Sequence, residues 1–195
     1  MDLTIRAPHA GDGDDLARGC LDAGAYYTKL NPDLFQIPEV DALAHWLEEQ
    51  VLRRPSDNSL TLVAEMDQQA VGQISATIQP PDAAAAFDIV RDRGLVRMVI
   101  HALIVQEAYR HQGVGTRLMQ ATEEWGRSKG AVIALLDTYI DSPLSVPFYE
   151  EQMGYSRRTL HLDSPVLYCC GARPFLLATH YGFRSMCHNG SGKRR

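Results

Sequence analysis

Apolar and polar residues alternate along Leu3-Thr4-Ile5-Arg6, which predicts a short first strand. Pro8 to Gly13 reads as a turn, after which Asp14 or Asp15 can cap a helix running to about Ala25. Asn31-Pro32-Asp33 interrupts the chain. Val40, Leu43, Ala44, Leu47 and Val51 then recur at helical spacing, so a second helix is predicted from Pro38 or Glu39 to about Leu52, closed by Pro55 to Ser59. Leu60 to Met66 and Val71 to Ile78 read as strands, joined by Asp67-Gln68-Gln69, a link short enough for a hairpin. Pro80 to Arg93 is an alanine-rich excursion that fits either a helix or a lid. Arg97 to Val105 is a continuous apolar run, as expected of a strand buried on both faces in the middle of a sheet.

Helical periodicity returns from about Gly113 to Lys129, where Val114, Leu118, Ala121 and Trp125 share a face and Gly130 supplies the stop. Ala131 to Asp137 is the next buried strand, and a strand, a crossover helix and a strand in this order form a parallel, right-handed unit. A short helix around Val146 to Gln152 and a strand from Tyr155 to Leu162 complete the pattern. The predicted class is α/β (α+β): a mixed, mostly antiparallel central sheet of about six to seven strands flanked by helices. Residues 1–162 make one domain. Residues 163–195 form a tail with one candidate strand, Val166 to Cys170, before an irregular or flexible end.

Composition changes this picture little. With 195 residues, 45% hydrophobic and 22% charged, the chain is long enough for one filled core. No apolar run approaches the roughly 20 residues that span a bilayer, and the N-terminus lacks the layout of a signal peptide, so no membrane partner and a cytoplasmic location are expected. The net charge is −5, yet the tail after Asp163 carries Arg173, Arg184, Lys193, Arg194 and Arg195 without an acid. The body is therefore more acidic than the whole, which argues against nucleic acid and mildly favours a cationic or amine partner. Cys169, Cys170, Cys187, His180 and His188 crowd the tail, but their spacing matches no zinc pattern, and no metal is expected.

The candidate chemistry lies in Arg110-His111-Gln112-Gly113-Val114-Gly115-Thr116, between the buried strand and its helix. A phosphate loop of the Gly-Lys-Ser/Thr type needs a lysine that is absent here, and a dinucleotide turn needs a small residue where Leu118 stands. What remains is Arg, two residues, Gly, one residue, Gly at a helix start. Glycines there let an anion approach the backbone, the first-turn N–H groups favour it, and Arg110 adds a forked donor. A plain tight turn is the other reading of the same residues.

This stretch resembles the acetyl-CoA signature of the GCN5-related N-acetyltransferase (GNAT) superfamily, Arg/Gln-x-x-Gly-x-Gly/Ala preceded by a strand ending Leu-x-Val and an aromatic residue just before the Arg. Here Leu103-Ile104-Val105, Tyr109 and Arg110 stand in those places, with Glu107 where proline is usual. Phe148-Tyr149-Glu150-Glu151-Gln152-Met153-Gly154-Tyr155 resembles the family's Phe-Tyr-Glu-x-x-Gly-Phe/Tyr segment with one extra residue before the glycine. Ser142 replaces the common asparagine six positions before that Phe. His101 to Val105 and Val146 to Tyr149 look most like the arylalkylamine (serotonin) N-acetyltransferases, whose second histidine corresponds to Val99. The resemblance covers roughly residues 1–162, most strongly 97–155.

The resemblance implies transfer of acetyl from acetyl-CoA, as co-substrate, to a primary amine by direct attack in a ternary complex. The amine belongs to a small molecule, a peptide or a protein. A GNAT-fold acyl-CoA sensor without turnover is the alternative, and homodimers are common in the superfamily. The coenzyme would be held by Leu103, Ile104, Val105, the stretch Arg110 to Thr116, Ser142 and Phe148. The strand Leu103 to Val105 would splay from Val132 to Asp137, with an oxyanion donor at the Ile104 or Val105 N–H. Tyr149 is the implied general acid, against a core tyrosine. His101 is the candidate base, expected on one strand face with Leu103 and Val105, against a satisfied core histidine. Glu65 and Glu107 are fallback bases. The acceptor side is expected along the first two helices and the loop Tyr26 to Phe35.

Overall fold

A computed structural model describes residues 2–52 and 56–159. Its strands are β1 (Thr4–Arg6), β2 (Ser59–Met66), β3 (Gln69–Gln79), β4 (Arg97–Val105) and β5 (Ile133–Leu136), and its main helices are α1 (Gly13–Leu30), α2 (Leu43–Leu52) and α3 (Val114–Ser128). The strands lie in sequence order across one sheet. Every neighbouring pair is antiparallel except β4 and β5, the two strands joined through α3. The expected mixed, mostly antiparallel sheet is present with five strands among the described residues rather than six or seven. Tyr155–Thr159 is described without strand pairing; Leu160–Leu162 and the tail strand Val166 to Cys170 lie outside the described residues.

The faces of the sheet divide the core. On one, Ile74, Ala76, Ile78, Met98 and Ile100 pack with Val114, Leu118 and Met119 of α3. On the other, Leu16 and Ala17 of α1 and Leu47 of α2 pack with Val63 and Ala70. Arg6 binds the start of this second layer to the sheet edge. Its guanidinium donates to the nearly buried Asp12 carboxylate at 2.8 and 2.9 Å and to Glu65 at 2.6 Å.

Two helix boundaries differ from expectation for tertiary reasons. α1 continues past Ala25 to Leu30, because Tyr26 and Tyr27 find partners across the molecule (below) and Asn31 is the first residue to leave the helix. α2 starts at Leu43 rather than near Pro38. Pro38 lies against Gly24 of α1, so close that a methyl on Gly24 would meet Pro38 Cδ at 2.6 Å. Val40, 67% exposed, is consequently not part of the apolar face. A second close approach joins the two helices: a methyl on Gly13 would lie 2.5 Å from the Ala44 carbonyl oxygen. Backbone cannot swing aside as a side chain can, so Gly13→Ala is expected to destabilise the fold by about 1–3 kcal/mol, read as a lowered urea midpoint.

Residues 80–95 form neither a helix nor a strand but two short 3-10 turns, Ala85–Phe87 and Arg91–Gly94. Arg93 pairs with Asp88 at 2.9 Å and Asp82 at 3.8 Å and closes the loop. No helix among the described residues is long and apolar enough to cross a membrane.

Candidate functional site

β4 is paired on both sides only in its first half. β5 matches Arg97 to Ile100, while β3 continues along β4 to Val105. Among the described residues no strand pairs with β4 on the β5 side beyond Ile100, which is the splay expected at Leu103 to Val105. Strand geometry then decides which groups face the opening. The Gln106 N–H donates to Val71 O at 3.0 Å, so Gln106 addresses β3. Successive residues alternate in direction along a strand, which turns Ile104 toward β3 and Leu103 and Val105 toward the opening. Two contacts agree: Ile104 O lies close to Gly72 of β3, and Val105 O accepts from outside the sheet. The Ile104 N–H is thus directed into the ladder and unavailable to a ligand. Of the two expected oxyanion positions, only Val105 faces the gap, and Leu103 joins it.

Gly113 precedes α3 with φ +81, a left-handed conformation that favours glycine, and His111 is also left-handed at φ +60. The N-cap residue, Gly113, offers no side chain to the first turn of α3 and no acid lies in it, so no local cap claims its N–H groups. His111, Gln112 and Gly113 are exposed, Val114 is buried, and Gly115 and Thr116 are half-buried. The Gln112 amide donates to Ala108 O at 2.9 Å. Gly115 serves a packing need as well: a methyl there would meet Phe148 Cζ at 3.3 Å and Leu103 Cδ2 at 3.9 Å. The open strand, the glycine turn and the Phe148 segment, far apart in sequence, therefore meet at one point.

The extra residue of the Phe148 segment has a structural counterpart. A single helical turn, Ser145–Pro147, runs into a π-helical turn, Phe148–Gln152, in place of the expected uniform helix. The Met153 N–H reaches Phe148 O at 3.1 Å and the Tyr155 N–H reaches Tyr149 O at 2.9 Å, with Gly154 at φ +73 turning the chain out. A π turn holds one more residue than an α turn, so the insertion is absorbed beside Phe148 and Tyr149. The Tyr149 ring stands 5.1 Å from that of Phe148 and 6.0 Å from that of Tyr155, and it packs on the α3 side of the sheet. Burial first, and then the Glu123 carboxylate that its hydroxyl donates to at 3.0 Å, hold Tyr155 protonated well above the usual phenol range.

His101 is not on the face of Leu103 and Val105. Ser75 pairs with Ala102 and Ala76 with Ile100, so His101 is the extra residue of a β-bulge. The bulge reverses the alternation: Met98 and Ile100 face α3 before it, and Leu103 and Val105 after it. His101 instead meets Thr77, Nε2 to Oγ1 at 2.8 Å, on the opposite face. It is exposed rather than a core histidine, and the partial burial of its ring lowers its pKa from the ordinary value, favouring neutral imidazole.

The fallback bases are elsewhere. Glu65 is committed to Arg6 at the sheet edge. Glu107 is exposed, and its backbone N–H donates to Asp22 at 2.8 Å.

Arg110 points inward. Its Nε donates to Val105 O at 3.2 Å and its guanidinium carbon stands 5.6 Å from the ring centre of Tyr26. Along the same end of α1, the rings of Tyr26, Tyr27, Phe35 and Tyr139 follow one another at 4.9–5.2 Å. Ser142 is buried, and its hydroxyl accepts the Ser145 N–H at 3.1 Å and contacts Tyr26 and Ser145. It ties the loop after β5 to α1 through Tyr26, while its Ser-x-x-Ser spacing announces only the local contact with Ser145. Sequence reasoning missed Gln106, whose buried amide donates at 2.9 Å to both Asp15 O and Ala70 O and anchors the start of the glycine loop. Among the described residues the one cysteine is Cys20, whose thiol is pushed up to about 11 by burial, so it is not poised as a nucleophile.

The model of the Acetyltransferase (GNAT) family matches residues 24–155. The probable N-acetyltransferase HLS1 of Arabidopsis thaliana is 30% identical over 114 residues, which is 53% of this chain and 28% of that protein. The chain thus spans under a third of the curated relative it matches. A mutant BH1408 protein from Bacillus halodurans shares the fold at a TM-score of 0.70 and 18% identity, over 84% of this chain and 99% of that one. So does an aminoglycoside acetyltransferase from an uncultured soil metagenomic sample, solved with sisomicin, at 0.56 and 16% over 85% and 97%.

Proposed function

Because the chain belongs to the acetyltransferase (GNAT) family, we propose that it transfers the acetyl group of acetyl-CoA to a primary amine by direct attack. The observation that carries this reading is the meeting of Leu103, Gly115 and Phe148. It brings an open strand edge, an uncapped helix start and the Tyr149 segment to one place. The pyrophosphate lies on the N–H groups at the start of α3, from Gly113 to Thr116. The amide-bearing arm runs along the open side of β4, and the N–H of Val105 or Leu103 polarises the thioester carbonyl.

Tyr149 and His101 lie on opposite faces of β4, with the open edge of the strand between them. Tyr149 is on the α3 side, with the coenzyme. His101 is on the α1 side, where Tyr26, Tyr27 and Phe35 line the approach of the amine. The ammonium gives one proton to His101, and the nitrogen lone pair forms the C–N bond. The C–S bond then breaks with its electron pair going to sulfur, which takes the Tyr149 proton. The second nitrogen proton restores the phenol, and the imidazolium discharges to solvent.

Calorimetry with acetyl-CoA, followed by a thiol-release assay over a panel of small amines and lysine peptides, tests this. Uptake of the coenzyme and amine-dependent thiol release are expected. Uptake without release across the panel would establish the sensor instead, and no uptake would remove both. For His101→Ala, the rise of rate with pH that reports imidazole deprotonation is expected to disappear; its persistence at an unchanged position would exclude His101 as the base.

A further inference from the structure

The reading of His101 as the base leaves open what holds the ring. His101 is the surplus residue of the β4 bulge, where backbone pairing no longer dictates its direction. Thr77 sits on β3 directly beside this point. Its pairing partner is Val99, and its own neighbours Ala76 and Ile78 face α3, so Thr77 faces the other way, onto the face that His101 joins. The contact between Thr77 Oγ1 and His101 Nε2 is 2.8 Å, a full hydrogen bond.

We propose that Thr77 is a positioning residue for His101: its hydroxyl holds the ring at Nε2, and with its oxygen accepting the Nε2 proton the Nδ1 lone pair is left to take the proton of the amine. A threonine hydroxyl pairs with either tautomer of a neutral imidazole; with the proton on Nε2 the hydroxyl oxygen accepts and Nδ1 is the free base. A histidine base in the wrong tautomer is disabled even when its ring is correctly placed. Once Nδ1 is protonated, the Nε2 bond becomes charge-assisted and strengthens, so the hydroxyl supports the imidazolium as it forms. β-Branched threonine also suits the strand position and has few rotamers, which keeps the oxygen in place. Serine would supply the same oxygen. Valine would keep the shape and remove it.

This inference rests on His101 as the base, and two measurements separate its failure from failure of that reading. The first needs no turnover. Imidazole nitrogen NMR of the isotopically labelled, ligand-free chain should show His101, identified by its loss in His101→Gln, as the Nε2–H tautomer. Thr77→Ser should retain that tautomer and Thr77→Val should give a mixture. A predominant Nδ1–H tautomer in the unaltered protein overturns the proposal.

The second measurement is kinetic. Thr77→Val is expected to lower kcat about tenfold with the KM for acetyl-CoA nearly unchanged, Thr77→Ser to recover it, and Thr77→Val to add nothing in a His101→Gln background. Equal losses in both backgrounds would show a structural effect alone and overturn the proposal. If His101→Gln leaves turnover intact, the base reading fails and this inference falls with it. If His101→Gln slows turnover and Thr77→Val does not, the base stands and only the positioning role is lost.

Discussion

Tyr149→Phe is expected to lower kcat about a hundredfold, the lower range for removing a general acid, while binding of acetyl-CoA measured by calorimetry stays within about twofold. The substitution removes one oxygen and keeps the ring, so the stacking on Phe148 at 5.1 Å and on Tyr155 at 6.0 Å is preserved. Two backbone bonds close the π turn that holds these rings, Met153 N–H to Phe148 O and Tyr155 N–H to Tyr149 O, and the substitution leaves both in place. An acetyl donor with a more acidic leaving group needs its proton less, so the loss should shrink markedly with a nitro-substituted aryl thioester in place of the alkyl thioester. A kcat equal to that of the unaltered protein would take Tyr149 out of the mechanism. Loss of coenzyme binding would make it a packing residue.

The largest expected effect on stability lies at the opposite edge. Arg6→Met should destabilise the fold by about 3 kcal/mol, because it leaves the carboxylate of Asp12, 3% exposed, without its charged partner. Burial by itself pushes the pKa of Asp12 up. The Arg6 hydrogen bonds, and after them the His9 N–H, overcome this and hold it below the ordinary carboxylate value. A depressed folded value means that the contribution is fully present above the unfolded carboxylate pKa and is lost as pH falls through the folded one. Without Arg6 only the His9 N–H opposes burial, the folded value rises, and the decline in stability on acidification that Asp12 contributes should shrink or vanish. Urea unfolding between neutral pH and pH about 3, near the unfolded carboxylate value, reads both effects. A loss below about 1 kcal/mol, the range of an exposed pair, would show that the network contributes no more than a surface contact.

The sequence announced most clearly those elements whose ends are set locally. β4 begins and ends at Arg97 and Val105 as expected, and α3 runs between Gly113 and Gly130, both with positive φ. Elements shaped by distant partners were harder to read. The start of α2 is displaced because Pro38 rests on Gly24, and nothing near Pro38 in sequence states that. The bulge at His101 was hidden because a continuous apolar run has no alternation for a bulge to break, so His101 was expected on the wrong face and Ile104 at the opening. Glu65 looked like a spare base because its partner, Arg6, lies 59 residues away. The extra residue after Tyr149 was visible as a length mismatch, but only backbone geometry shows how a π turn accommodates it.

The inward-pointing Arg110 joins the two halves of the proposed site. It holds the last carbonyl of β4 with one nitrogen, and its guanidinium carbon stands over the Tyr26 ring. A bound diphosphate that drew this guanidinium toward itself would release Val105 O and unload Tyr26, so filling one side of the gap would alter the wall of the other. Thermodynamic reciprocity then fixes the converse: an amine that displaces Tyr26 must change the affinity for the coenzyme by the same factor. The two ligands would be cooperative through a single side chain, without any movement of the sheet.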